Sequence, residues 1–145
     1  MSSHGLEVID REECEVLLTT QRIGRVGLGG DRPGVFPVLY ALLDGDVVFR
    51  TAPGDKLIAA ALEREIVFEV DSFSTSEHSG WSVNVLGVAA EILHPAELGQ
   101  AEALDLPPWA GEVRDRYVRI RARDVSGRRI LPVSFAGKHR LEANR

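Results

Sequence analysis

The chain has 145 residues, 44% of them apolar and 27% charged, with a net charge of −5. That length fits one domain, residues 1–145, able to bury a core without disulfides, and the single Cys14 cannot form an internal bridge and fits a reducing cytosol. The acidic balance argues against a nucleic-acid surface, no run of about eighteen apolar residues offers a membrane span, and MSSHGLEVIDREE has no secretory pattern; a cytoplasmic protein is expected.

The first helix signal spans Asp10 to Gln21, where Asp10 can cap, Glu13 follows three residues later, and Cys14, Val16, Leu17 and Leu18 supply an apolar side. Strand patterns follow. Gly24 to Gly29 alternates through Val26 and Leu28, a Gly- and Pro-rich turn occupies residues 29–34, and Val35 to Leu43 is an apolar run suited to a strand covered on both faces. Asp44-Gly45-Asp46 predicts a hairpin into Val47–Thr51.

A short helix is expected from Asp55 to Glu65, then strands at Ile66–Val70 and Trp81–Leu93 with a polar loop, Asp71–Gly80, between them. His94-Pro95 breaks the strand, Ala96–Ala103 offers one or two helical turns, and Leu106-Pro107-Pro108-Trp109 reads as loop. Tyr117–Asp124 alternates Val118, Ile120 and Ala122 with Arg119, Arg121 and Arg123, the pattern of a strand with one wet face; Val125–Ile130 continues or turns it. The tail, 131–145, is expected to be peripheral, with Val133 and Phe135 able to dock it. Tight turns between strands and few crossover helices favour a mainly β barrel.

Three segments carry chemistry. In Phe49-Arg50-Thr51-Ala52-Pro53-Gly54-Asp55-Lys56, a strand end delivers a guanidinium and a hydroxyl, and a lysine opens the next helix. Two cations, a hydroxyl and helix-start amides suit a phosphate; the plain alternative is a strand-face arginine and a solvated lysine. In Gly80-Trp81-Ser82-Val83-Asn84, Trp81 offers a flat wall for a planar ring or serves as a core or interface residue, and a buried Asn84 would need a partner. Pro37 marks an edge or bulge where backbone groups face a ligand, while Tyr40 reads as a core aromatic or a ring contact. Glu69 and Asp71 share a strand face and are read as solvated or arginine-paired. His4, His78, His94, His139 and Cys14 show no metal-ligand spacing, and no serine sits in a nucleophile elbow, so no catalytic residue is assigned.

Taken in order, GRVGL, PVLYAL, VVFRTAPGDK, IVFEVDSF and GWSVNVLGVAAEI resemble the pyridoxamine 5′-phosphate oxidase-like family of FMN-binding split barrels, in its short actinobacterial-type branch, from about Glu12 to Ile130. The resemblance implies a six-stranded antiparallel split β-barrel, a homodimer, and a cofactor site at the subunit interface. On it, Arg50, Thr51 and Lys56 hold the cofactor phosphate, Pro37, Val38 (through its backbone) and Tyr40 lie along the ring system, and Trp81 and Ser82 come from the other subunit. The carboxy-terminal Arg and His pattern of authentic pyridoxamine phosphate oxidases is missing from LPVSFAGKHRLEANR, which sets the vitamin-making reaction aside.

The function this implies is an FMN-dependent oxidoreductase acting on a small organic substrate, the flavin supplying the electron chemistry. A deazaflavin coenzyme is the alternative on the same fold; its acidic tail would need a basic groove such as Arg119, Arg121 and Arg123 offer, although a solvated strand face explains that stripe equally simply. Haem is a further alternative, with His78 or His139 as ligand. Outside catalysis stand a flavin-binding, flavin-storing or redox-sensing module, and a cofactor-free dimeric interaction protein.

Overall fold

The computed structural model describes residues 2–3, 6–31, 33–52, 54–108 and 115–132; the side chains of Ser2, Ser3 and Lys56 lie outside that description. Outside it too are His4, Pro53, Trp109 and the tail residues Val133, Phe135 and His139, to which the sequence reading assigned docking or ligand roles.

The described residues form eight strands and three short helices: β1 (Ser2–Ser3), β2 (Leu6–Ile9), α1 (Arg11–Leu18), β3 (Ile23–Leu28), β4 (Gly34–Leu43), β5 (Asp46–Thr51), α2 (Lys56–Ala61), β6 (Glu65–Ser74), β7 (Ser79–Glu91), α3 (Pro95–Glu102) and β8 (Arg116–Ile130). The strands run antiparallel in the order β8-β5-β4-β3-β6-β7, and β7 pairs with β8 to close a six-stranded barrel. β8 is long enough to serve two neighbours beside β7: its first third pairs with β5, and residues Gly127–Ile130 pair with β2. The expected mainly β split barrel is therefore the fold observed. The β1 and β2 strands were not anticipated, because Leu6, Val8 and Ile9 are too few to show a period.

The barrel interior holds Val26, Val38, Tyr40, Val47, Phe49, Phe68, Val70, Val83, Val85, Val118 and Ile120, each buried. These positions alternate along their strands, as the pleat demands. Gly24 is obligatory here: a Cβ would lie 2.2 Å from the Phe68 ring. A smaller cluster forms outside the barrel, where Val48 and Tyr117 are covered by Ile92, Ala101 of α3 and Leu106.

Local chemistry sets the element ends. Asp10 Oδ1 accepts the Glu13 amide at 2.8 Å and caps α1. The helix stops at Leu18, short of Gln21, because the Thr19 and Thr20 hydroxyls donate to the Val16 and Leu17 carbonyls. Asp44 and Gly45, at φ of 50° and 84°, form the β4–β5 hairpin. The helix expected to reach Glu65 ends at Ala61, since Glu63 turns to φ 63° and its amide donates to Ala89 across the barrel end. The expected loop at 71–80 is mostly strand: Asp71 to Ser74 pair with Ser82 to Ser79 in a long hairpin. Its polar side chains were read as loop because both faces of this extension are wet.

The arginine stripe of β8 is wet only in part. Arg121 and Arg123 side chains are more than 60% exposed and pair with Glu97 and Glu65. Arg119 instead lies buried, donating to Asp46 at 2.8 Å, Glu97 at 2.9 Å and the Leu43 carbonyl. Burial opposes its charge, but these carboxylates more than compensate and its pKa is raised. It pins α3 to the β4–β5 hairpin.

Candidate functional site

β4 builds the site, because it changes neighbours along its length. Its register with β3 runs from Gly34 to Leu39, whereas its register with β5 covers only Tyr40 to Leu43. The Tyr40 amide donates to the Arg22 carbonyl at 3.0 Å, so even-numbered residues turn their backbone groups to β3 and odd-numbered ones to the β5 side. Pro37 thus points its missing donor toward the side where the β5 ladder has ended. A strand proline belongs there.

The outer face of this half-strand is open, contrary to the expectation that both faces are covered. Val35 is 70% and Leu39 39% exposed, and Ile23 beside Leu39 is 54% exposed. Two adjoining cavities lie on it. One, of about 270 Å³, is lined by Ile23, Pro37, Val38, Leu39, Pro107 and Pro108. The other, of about 350 Å³, is lined by Arg22, Leu39, Tyr40, Ala41 and the stretch Leu104–Pro107. Leu39 and Pro107 belong to both, so they form one groove between the β4 face and the 104–108 segment.

Arg50 adjoins the groove wall. Its Nη1 donates to the Leu106 carbonyl at 2.6 Å, and its Nη2 lies 2.9 Å from Asp115 Oδ2. The guanidinium stands 5.2 Å from the Tyr117 ring centre, within cation–π range. Neighbouring strand residues face opposite ways, and Thr51 is buried, with its hydroxyl directed to the Ala52 carbonyl. The start of α2 is also committed, because Asp55 Oδ1 accepts the Leu57 and Ile58 amides at 2.9 and 3.2 Å. The expected convergence of Arg50, Thr51 and helix amides on one phosphate thus does not form within the described residues; Arg50 alone borders the groove.

The ring-contact residues divide similarly. Pro37 lines the groove. Val38 is buried, and its backbone belongs to the pair with Gly24, so Leu39 offers the backbone on the open side. The Tyr40 side chain is core: its hydroxyl donates to the Leu18 carbonyl, and its ring meets Phe68 edge-on at 4.9 Å. Burial pushes its pKa up to about 12. Trp81 packs against the barrel core and Ser82 pairs with Asp71 and Arg128 on β7. In the closed order, β7 stands opposite β4, so one chain does not bring Trp81 and Ser82 to this groove. Asn84 is exposed and needs no buried partner. His78 sits in the exposed turn before β7, at φ 53°.

Beside Pro37, its cross-strand partner Arg25 holds Glu69 at 3.3 Å and Asp71 at 3.4 Å, the arginine pairing expected of these acids. Burial, then the hydrogen bond and charge of Asp71, raise the Glu69 carboxyl to about 7 against the opposing pull of Arg25. The sequence reading missed Ile23, Leu39, Pro107 and Pro108. Only the double proline signalled a rigid wall, and the exposed leucine was masked within an apolar run.

No helix among the described residues is long and apolar enough to cross a membrane. Residues 10–129 match the family described as pyridoxamine 5′-phosphate oxidase. An uncharacterized protein of Mycobacterium tuberculosis, Rv0080, is 31% identical over 136 residues, covering 90% of this chain and 89% of that one. The FAD-binding protein from Mycobacterium smegmatis superposes with a TM-score of 0.81 at 33% identity, over 87% of this chain and 99% of its own. An FAD-binding protein from Mesorhizobium loti gives 0.68 at 25% identity, over 86% and 97%. The closed barrel, the interrupted β4 ladder and the match over residues 10–129 place the chain in the pyridoxamine 5′-phosphate oxidase family.

Proposed function

We propose that the chain binds a flavin nucleotide in the β4 groove and acts as a cytoplasmic, dimeric, flavin-dependent oxidoreductase on a small organic substrate. The observation that carries this reading is the groove itself. A planar ring needs a flat apolar floor, rigid walls and backbone polar groups at its edge. Pro37 and Leu39 give the floor, Pro107 and Pro108 the wall, and the odd-numbered backbone groups of β4 the edge. Arg50 takes the phosphate, with Lys56 as the second cation the sequence offers. The names of the Mycobacterium smegmatis and Mesorhizobium loti proteins support a flavin and favour FAD over FMN.

The bound flavin would supply the electron transfer, and the protein's residues position it. Exposed Ile23, Val35 and Leu39 make the same face suited to a second copy, which would bring its own Trp81 and Ser82 to close the groove. A deazaflavin coenzyme is less well served, because Arg119, Arg121 and Arg123 are engaged by Asp46, Glu97 and Glu65.

Turnover separates an enzyme from a storage or sensing module. Flavin-loaded protein is mixed anaerobically with a nicotinamide donor, and bleaching is followed before and after a quinone acceptor is added. Repeated reduction and reoxidation faster than free flavin supports the oxidoreductase. Stable binding without acceleration would reduce the claim to a binding module.

A further inference from the structure

The groove continues past the place of the flavin ring. A third cavity, of about 250 Å³, lies between the end of α1 and the 40–42 stretch of β4. It shares Arg22, Tyr40 and Ala41 with the 350 Å³ cavity beside it, so three chambers follow one another along β4. A strand rises about 3.4 Å per residue, and Pro37 to Leu42 therefore spans about 17 Å. A ring with a short phosphorylated side chain fills only part of that length.

The two far chambers carry the chemistry of a nucleotide. Arg22 is the one cation among the described residues that line the three cavities, and it belongs to two of them. Its guanidinium is exposed and holds no ion pair or hydrogen bond among the described residues. Arg25, Arg119 and Arg129, by contrast, are each held by two carboxylates. An arginine left open can grip two oxygens of one phosphate. Asp105, in the middle chamber, accepts from hydroxyls, which a ribose supplies and a bare phosphate lacks. Gln21, in the third chamber, spends one N–H on Thr20 Oγ1 at 3.3 Å and keeps its carbonyl and second N–H. Those two groups match the donor–acceptor edge of adenine.

We propose that the third chamber seats the adenosine half of a dinucleotide flavin, with Arg22 holding the phosphate nearest to it. This rests on the flavin reading above. It adds a second phosphate contact in the chamber that Arg22 shares with Leu106, whose carbonyl Arg50 holds.

The test measures dissociation constants of FAD, FMN and riboflavin at fixed pH and ionic strength, for the wild-type chain and for Arg22→Gln. The wild type is expected to bind FAD at least about tenfold more tightly than FMN, and Arg22→Gln to remove most of that difference. Added 5′-AMP is expected to weaken FAD and to leave riboflavin unchanged. The two wild-type measurements decide the matter if the variant fails to fold. If FAD and FMN bind the wild type equally, or if 5′-AMP does not compete with FAD, the adenosine seat is overturned and the flavin reading stands. An FAD preference that survives Arg22→Gln, or a loss that riboflavin shares equally, overturns the role of Arg22. If none of the three flavins binds, the seat and the flavin reading both fall.

Discussion

The Tyr40 hydroxyl donates to the carbonyl of Leu18, tying the middle of β4 to the last turn of α1. Helix carbonyls at this end have no intrahelical partner, so the bond satisfies one of them and buries an aromatic ring under the groove floor at once. Tyr40→Phe should cost about 1 kcal/mol in denaturant unfolding, the usual worth of such a bond. Flavin affinity should not change. A large loss of affinity without loss of stability would place the hydroxyl in the site rather than the core.

Arg119 joins three elements through Asp46, Glu97 and the Leu43 carbonyl. Arg119→Met should cost about 3 kcal/mol, because Asp46 would lose its cation while half-shielded and Glu97 would keep only the exposed Arg121. Adding Glu97→Gln should recover part of that loss. Simple additivity of the two changes would show that Asp46 and Glu97 are not coupled through this arginine.

Stability should fall as pH rises from about 4.5 to about 7, by the contribution of Glu69. Its folded carboxyl titrates near 7, above the ordinary value of 4.5. A raised carboxylate pKa means the folded state holds the proton more tightly, so the contribution is full below about 4.5 and lost by about 7. Thermal unfolding between pH 4.5 and 7.5 should show a downward slope that Glu69→Gln flattens. An unchanged slope in the variant would assign the effect elsewhere.

Leu39→Asp places a charge on the exposed floor of the groove. The change lies outside the core, so the melting temperature of the isolated chain should move by only a few degrees. Sedimentation should nevertheless find monomers, and flavin affinity should drop at least about tenfold. Persistence of the dimer would show that this face is not shared between copies.

Much of the barrel was legible in the sequence because burial writes itself as alternation. Val26 and Leu28, Val83 and Val85, Val118 and Ile120 all repeat at the strand period and all face inward. Asp44-Gly45 announced its hairpin through the backbone angles it needs. The site was less legible. Arg50 and Thr51 look like partners in sequence, yet adjacent strand residues face apart, and Asp55, read only as a helix opener, claims the amides a phosphate would want. Leu39 looked like one more apolar core residue, but it alternates with inward-facing Val38 and Tyr40 and so faces outward. Asp115 lies 65 residues from Arg50, and no local pattern links them.

The central claim is that the β4 groove holds a flavin. The most direct measurement is the absorption spectrum of the purified chain before and after adding FAD, with any released cofactor identified by mass. The account predicts a resolved, shifted flavin band that saturates at one flavin per chain and is lost in Leu39→Asp. A colourless protein whose added FAD and FMN both keep the spectrum of free flavin would contradict it.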